Sequence, residues 1–95
     1  MQSIEWTQPA LDDLRAIDAW LTDRGHPEIA LRTLTSIRAR ALFLERFPRG
    51  GRPFGTDCRV LRVTDTAYLI LYRIVGGDVQ ILRIRHEREE WFVER

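Results

Sequence analysis

Apolar positions along the chain fall into two spacings. Between residues 10 and 47 they recur every three or four positions, which predicts amphipathic helices; beyond residue 58 they run almost continuously, which predicts strands. Leu11, Leu14, Ile17, Trp20 and Leu21 form the stripe of a first helix, with Asp12, Asp13, Arg15, Asp18 and Asp23 off it. Pro9 suits the opening turn, where its missing N–H costs nothing, and Thr7 is a better cap than Gln8. Asp12 and Asp13 also suit the positive end of the helix dipole. At Arg24-Gly25-His26-Pro27 the pattern breaks, with Gly25 ending one helix and Pro27 opening the next. The second helix has Ala30, Leu31, Leu34, Ile37, Ala41, Leu42, Leu44 and Phe47 as its apolar set, and Pro48 stops it. It should be roughly 30 Å long. So short a connection predicts two antiparallel neighbours.

Residues 3–6 read as a short strand with Ile4 and Trp6 on one face. The stretch Arg49-Gly-Gly-Arg-Pro-Phe-Gly reads as a loop by composition. Three strands follow, over residues 58–63, 67–75 and 79–86, with turns at Thr64-Asp65-Thr66 and Gly76-Gly77. Residues 68–75 are so uniformly apolar that they predict a central strand buried on both faces. The last strand differs, because Arg83, Arg85 and His86 gather at its end. Pairing through a strict two-residue turn at Gly76-Gly77 sets Tyr68 opposite Arg85 and Ile70 opposite Arg83. A slip of one residue moves both arginines to the face of Leu69 and Leu71. The pattern alone leaves both registers open. Its element order is β-α-α-β-β-β: an α+β fold of one sheet backed by a helical hairpin, in a single domain over residues 1–95.

Composition changes this picture little. The formal net charge is +1, so any electrostatic argument rests on distribution. All fifteen basic residues are Arg, whose planar fork grips carboxylates and phosphates as Lys does not. Cys58 is the lone cysteine, which excludes an internal disulfide and a thiolate-rich metal site. Neither a signal peptide nor an apolar run of membrane-spanning length is visible, so the expected location is cytoplasmic, with no membrane partner and no cofactor or metal.

Two groups of residues are candidates for chemistry. Arg46, Arg49 and Arg52, with Arg59 and Arg62 beyond, pair arginines with glycines as phosphate-holding loops do. The plainer reading, and the favoured one, is a solvated connection. Arg83, Arg85, His86 and Arg88, with Tyr68 and Tyr72 across the hairpin, form the second group. His86 has the chemistry of a general acid or base, against the plainer role of closing a strand end. His26 reads as structural or exposed, and Trp6, Trp20 and Trp91 as packing anchors, with Trp91 and Phe92 docking a charged tail.

The element order, together with five phrases in sequence, resembles the RelE/ParE family of bacterial toxins from type II toxin–antitoxin systems. The phrases are Trp-Thr-Gln-Pro-Ala-Leu-Asp-Asp-Leu at 6–14, Phe-Pro-Arg-Gly-Gly-Arg-Pro at 47–53, Arg-Val-Leu-Arg-Val at 59–63, Tyr-Leu-Ile-Leu-Tyr-Arg-Ile at 68–74, and Val-Gln-Ile-Leu-Arg-Ile-Arg-His-Glu-Arg-Glu-Glu-Trp at 79–91. The resemblance implies a curved, mainly antiparallel sheet and a toxin bound in a hetero-oligomer with its cognate antitoxin. It also implies growth arrest and plasmid stabilisation. RelE-like members cut mRNA on the ribosome, whereas ParE-like members poison DNA gyrase and are not known as nucleases. RelE-like members usually carry an arginine where this chain has Leu69, and many use lysines, which it lacks. A nuclease must stabilise a charged transition state, and one missing cation costs several kcal/mol of that stabilisation. The resemblance therefore favours a ParE-like gyrase inhibitor, gripping its target through Arg83, Arg85, Arg88 and Trp91. The alternative is a RelE-like endoribonuclease using His86, Arg83 and Arg59. A third reading is a family member that only binds antitoxin.

Overall fold

The computed structural model describes residues 3–88. In chain order the elements are β1 (Ile4–Trp6), α1 (Gln8–Asp23), α2 (Pro27–Arg46), β2 (Arg52–Phe54), β3 (Cys58–Arg62), β4 (Tyr68–Val75) and β5 (Asp78–His86). The strands form one five-stranded sheet in the order β1-β5-β4-β3-β2. It is mixed: β1 runs parallel to β5, and the other pairs are antiparallel. The fold is α+β, with both helices packed on one face of the sheet. Within the connection read as a loop, Arg52–Phe54 instead forms a short edge strand against Val60, Arg59 and Cys58. Three residues carrying a proline show no run of alternation, and only the partner strand makes them a strand.

The helix ends follow the local signals. The Thr7 side chain accepts a hydrogen bond from the Ala10 N–H, and Pro9 sits in the first turn. At the other end Gly25 takes φ +81°, its N–H donates to the Thr22 carbonyl, and His26 N–H donates to Leu21. That pair of bonds is a Schellman motif, which satisfies carbonyls a helix end leaves orphaned. Pro27 then opens α2.

Ala10, Leu14 and Ile17 of α1 and Ile37, Ala41 and Leu44 of α2 pack on Leu61, Val63, Ile70, Tyr72, Val79, Ile81 and Ile84 of the sheet side. The predicted stripes were too wide. Trp20, Leu31, Leu42 and Phe47 are exposed, because a two-helix layer on one sheet face leaves each helix an outer flank. Leu42 lines an open apolar groove of about 510 Å³ between β1, the start of α1 and α2, with Ile4, Trp6 and Leu11.

Strand β4 is central, as expected, but it is not buried on both faces. Ile70 and Tyr72 are fully buried under the helices; Leu69 and Leu71 are half-buried, and Arg73 is exposed on the other side. Among the described residues no helix covers that second face, the usual condition of a largely antiparallel sheet.

A bulge decides the register of the β4–β5 hairpin. The Gly76-Gly77 turn has φ of +58° and +89°, the signature of a type I′ turn, and it sets Val75 opposite Asp78. Pairing is strict as far as Tyr72 opposite Ile81, then slips at Leu82, so that Leu71 faces Arg83 and Leu69 faces Arg85. Strict pairing fails beyond that point for a physical reason. It places Arg83 and Arg85 on the helix side beside Ile70 and Tyr68, and desolvating two guanidinium groups there is prohibitive. One extra residue turns Ile84 inward and both arginines outward.

Candidate functional site

The uncovered face of the sheet is built by that register. Arg52, Val60, Leu71 and Arg83 form one row across β2, β3, β4 and β5; Arg62, Leu69 and Arg85 form the next. Arg73 stands one step further along β4, where its Nε donates to Gln80 Oε1 at 2.6 Å. The rows lie about 7 Å apart along the strands, and Arg52 and Arg83 are about 14 Å apart at the backbone. Arginines thus rim a strip of Val60, Leu69 and Leu71. Val60 is buried yet stands outside the helix-side cluster, consistent with its place on this face. The sequence reading had Arg83 and Arg85 here only as one of two registers, and it missed Arg52, Arg62 and Arg73 as their companions. Their face follows from cross-strand pairing, which no local pattern displays.

Arg83 belongs to this face by register, but its guanidinium reaches round the sheet edge to α1. Its Nε and Nη2 donate to the two carboxylate oxygens of Asp13 at 2.8 and 2.9 Å. Asp13 Oδ2 also accepts the backbone N–H of Ile84 at 2.9 Å. Arg62 meets Glu87 at 3.2 Å in an exposed pair.

His86 lies on the opposite side of the sheet from Arg85. It pairs with Tyr68, which packs against the helix-side core, and the two rings meet edge-on with centroids 5.3 Å apart. Its Nδ1 accepts the Arg88 N–H at 3.1 Å, so it does close the strand end. Arg88 is exposed beside it; Trp91 and the tail lie outside the described residues.

Arg59 is opposite Tyr72, about 13 Å along β4 from the Tyr68–His86 pair. It ties down the connection after α2: Nε donates to the Gly51 carbonyl at 3.1 Å and Nη2 to that of Arg49 at 3.3 Å. Tyr72 completes the strap. Its buried hydroxyl accepts the Gly51 N–H at 2.9 Å and donates to the Pro48 carbonyl at 2.8 Å. The glycine–arginine stretch is thus held by its own backbone polar groups, leaving Arg46, Arg49 and Arg52 exposed around it. Most of the stretch is exposed, as the favoured reading of a solvated connection has it, but Gly51 is buried and tied to the sheet. Among the described residues, no group of three His, Cys, Asp or Glu side chains is placed to hold a metal, and no helix is long and apolar enough to cross a membrane.

Comparison with known proteins places this architecture. The family described as the ParE toxin of the type II toxin–antitoxin system parDE matches residues 4–91. The chain belongs to this toxin family. Its curated relatives include Y4kP of Sinorhizobium fredii, 35% identical over 89 residues covering 93% of this chain and 91% of the relative. Toxin RelE2 of Caulobacter vibrioides is 35% identical over 86 residues, covering 90% and 96%. A solved chain of the chromosomal ParDE system of P. aeruginosa superposes with a TM-score of 0.83 at 30% identity, over 90% of this chain and 96% of that one. A chain of the RelBE2 toxin–antitoxin complex of Mycobacterium tuberculosis gives 0.67 at 27% identity, with the same coverage. The ParE-family chain is therefore the toxin of a type II toxin–antitoxin system, and its relatives carry both ParE and RelE names.

Proposed function

We propose that this toxin domain acts in the cytoplasm as a ParE-like inhibitor that binds DNA gyrase, stalls it on DNA, and is silenced by a cognate antitoxin. One observation carries the reading: the residues that a nuclease would use are dispersed. His86 is on the helix side, Arg83 is engaged by Asp13, and Arg59 is committed to strap carbonyls about 13 Å away along β4. General acid–base catalysis needs its groups within hydrogen-bond reach of a common reacting atom. The opposite face instead places Arg52, Arg62, Arg73 and Arg85 around an apolar strip, with Arg62 in an exposed pair with Glu87 and Arg73 bonded to Gln80. That composition suits a protein partner with acidic and apolar residues. The proposed target-binding set is Arg85 with these arginines, together with Arg88 and Trp91. Arg83 belongs to it only by register. The antitoxin partner is supported by the ParDE and RelBE2 complexes among the structural neighbours.

The test is a supercoiling assay with purified gyrase. Inhibition that weakens in Arg85→Ala supports the proposal. A preparation that arrests growth in cells but leaves gyrase untouched at large molar excess refutes it. The RelE-named relatives favour one second reading, a ribosome-dependent endoribonuclease. Codon-associated cleavage of a defined message in a translation extract, abolished in His86→Ala, would establish it instead.

A further inference from the structure

Asp13 carries no obvious chemistry in the sequence, and its position off the apolar stripe suggests a solvated carboxylate. In the structure its side chain is only 16% exposed, and it accepts three hydrogen bonds from β5. The place where it does so is informative. Strand β1 covers β5 only as far as Ile81, and Thr7 extends that cover with bonds to the carbonyls of Ile81 and Leu82. The bulge at Leu82 follows. Beyond it, Asp13 accepts the Ile84 N–H as the carbonyl of a neighbouring strand otherwise would. The same carboxylate takes the fork of Arg83 in the bidentate geometry that makes Arg–carboxylate pairs the most directional of ion pairs.

We infer that Asp13 is a positioning residue, and that Arg83 acts with it as one unit rather than touching a target. Together they fix the end of β5 after its bulge, the segment that presents Arg85 and His86 and leads to Arg88. This rests on the proposal that the uncovered face is the target surface, but its test does not depend on which target is bound.

Amide hydrogen exchange and growth arrest on expression are measured for the wild type, Asp13→Asn, Arg83→Ala and the double variant. Asparagine keeps the shape and one acceptor but loses the charge that holds the fork. The expected result is exchange about tenfold faster or more at Ile84 and residues 85–88 in Asp13→Asn, with Ile70 and Ile81 as protected as before. Growth arrest falls to a similar extent in both single variants, and the double variant is no worse than either, as groups acting as one unit require. Unchanged Ile84 exchange in Asp13→Asn overturns the inference. So does full growth arrest by Asp13→Asn alongside complete loss in Arg83→Ala, which makes Arg83 a target contact. If Asp13→Asn also loses protection at Ile70 and Ile81, Arg83→Leu, which leaves the carboxylate on the Ile84 amide, carries the test. Unaltered exchange of residues 85–88 in Arg83→Leu then overturns it. The expected exchange pattern in a toxin without effect on gyrase counts against the gyrase target and supports the positioning role.

Discussion

Replacing Tyr72 by Phe removes one oxygen atom from the interior and nothing else. The ring is fully buried, so the apolar contacts it makes with the helices stay. What goes is the hydroxyl that joins two backbone groups of the strap, the Gly51 N–H and the Pro48 carbonyl. Gly51 is itself buried, so its N–H is left without a partner in a site closed to water. An orphaned buried donor costs about 1–3 kcal/mol. The Pro48 carbonyl is only part-buried and recovers most of its loss by hydration. Tyr72→Phe should therefore destabilise the fold by about 2 kcal/mol. In a chain of this length, that lowers the melting temperature by about 8–16 °C. Thermal unfolding followed by circular dichroism measures it. Limited trypsin digestion adds a local reading: Arg49 and Gly50 are already exposed, but the strap keeps that backbone from opening into a protease; mass spectrometry should find the Arg49–Gly50 bond cut faster in the variant than in the wild type. A melting temperature within about 2 °C of the wild type, a difference of about 0.5 kcal/mol or less, with that bond cut no faster, would refute the account of the strap.

The remaining predictions concern backbone positions. Gly51→Ala places a Cβ 2.6 Å from the Val60 carbonyl oxygen and 2.8 Å from the Tyr72 hydroxyl, so β2 must move off β3; a loss of about 1–3 kcal/mol in urea unfolding is expected. Gly77→Val forces a β-branched side chain to φ +89° and should cost more than about 1 kcal/mol. Gly76→Asn, at φ +58° in a type I′ turn, should leave the urea midpoint within about 0.5 kcal/mol of the wild type.

The sequence by itself settled what is decided within a few residues. Thr7, Gly25 and Pro27 mark helix ends through bonds spanning three to five positions, and Gly76-Gly77 sets its turn through its own dihedrals. Those signals, with the spacing of Leu14, Ile17, Ile37 and Leu44, were enough for a helical hairpin on a sheet. One further signal was present but undecided: Val79, Ile81 and Ile84 break strict alternation, as a bulge requires. The rest belonged to the tertiary structure. Whether Arg83 and Arg85 stand on the helix side or on the opposite face depends on what lies above the sheet, because a guanidinium is costly to bury among the apolar residues there. The covering of β4 on one face only depends on the number of layers, which the hydropathy of a single strand does not encode. Asp13 and Arg83 stand 70 positions apart, and Gly51 and Tyr72 stand 21 apart. No pattern along the chain links such pairs; they meet only once the sheet has assembled, and their meeting converts a predicted contact residue into a clamp and a predicted loop into a strap.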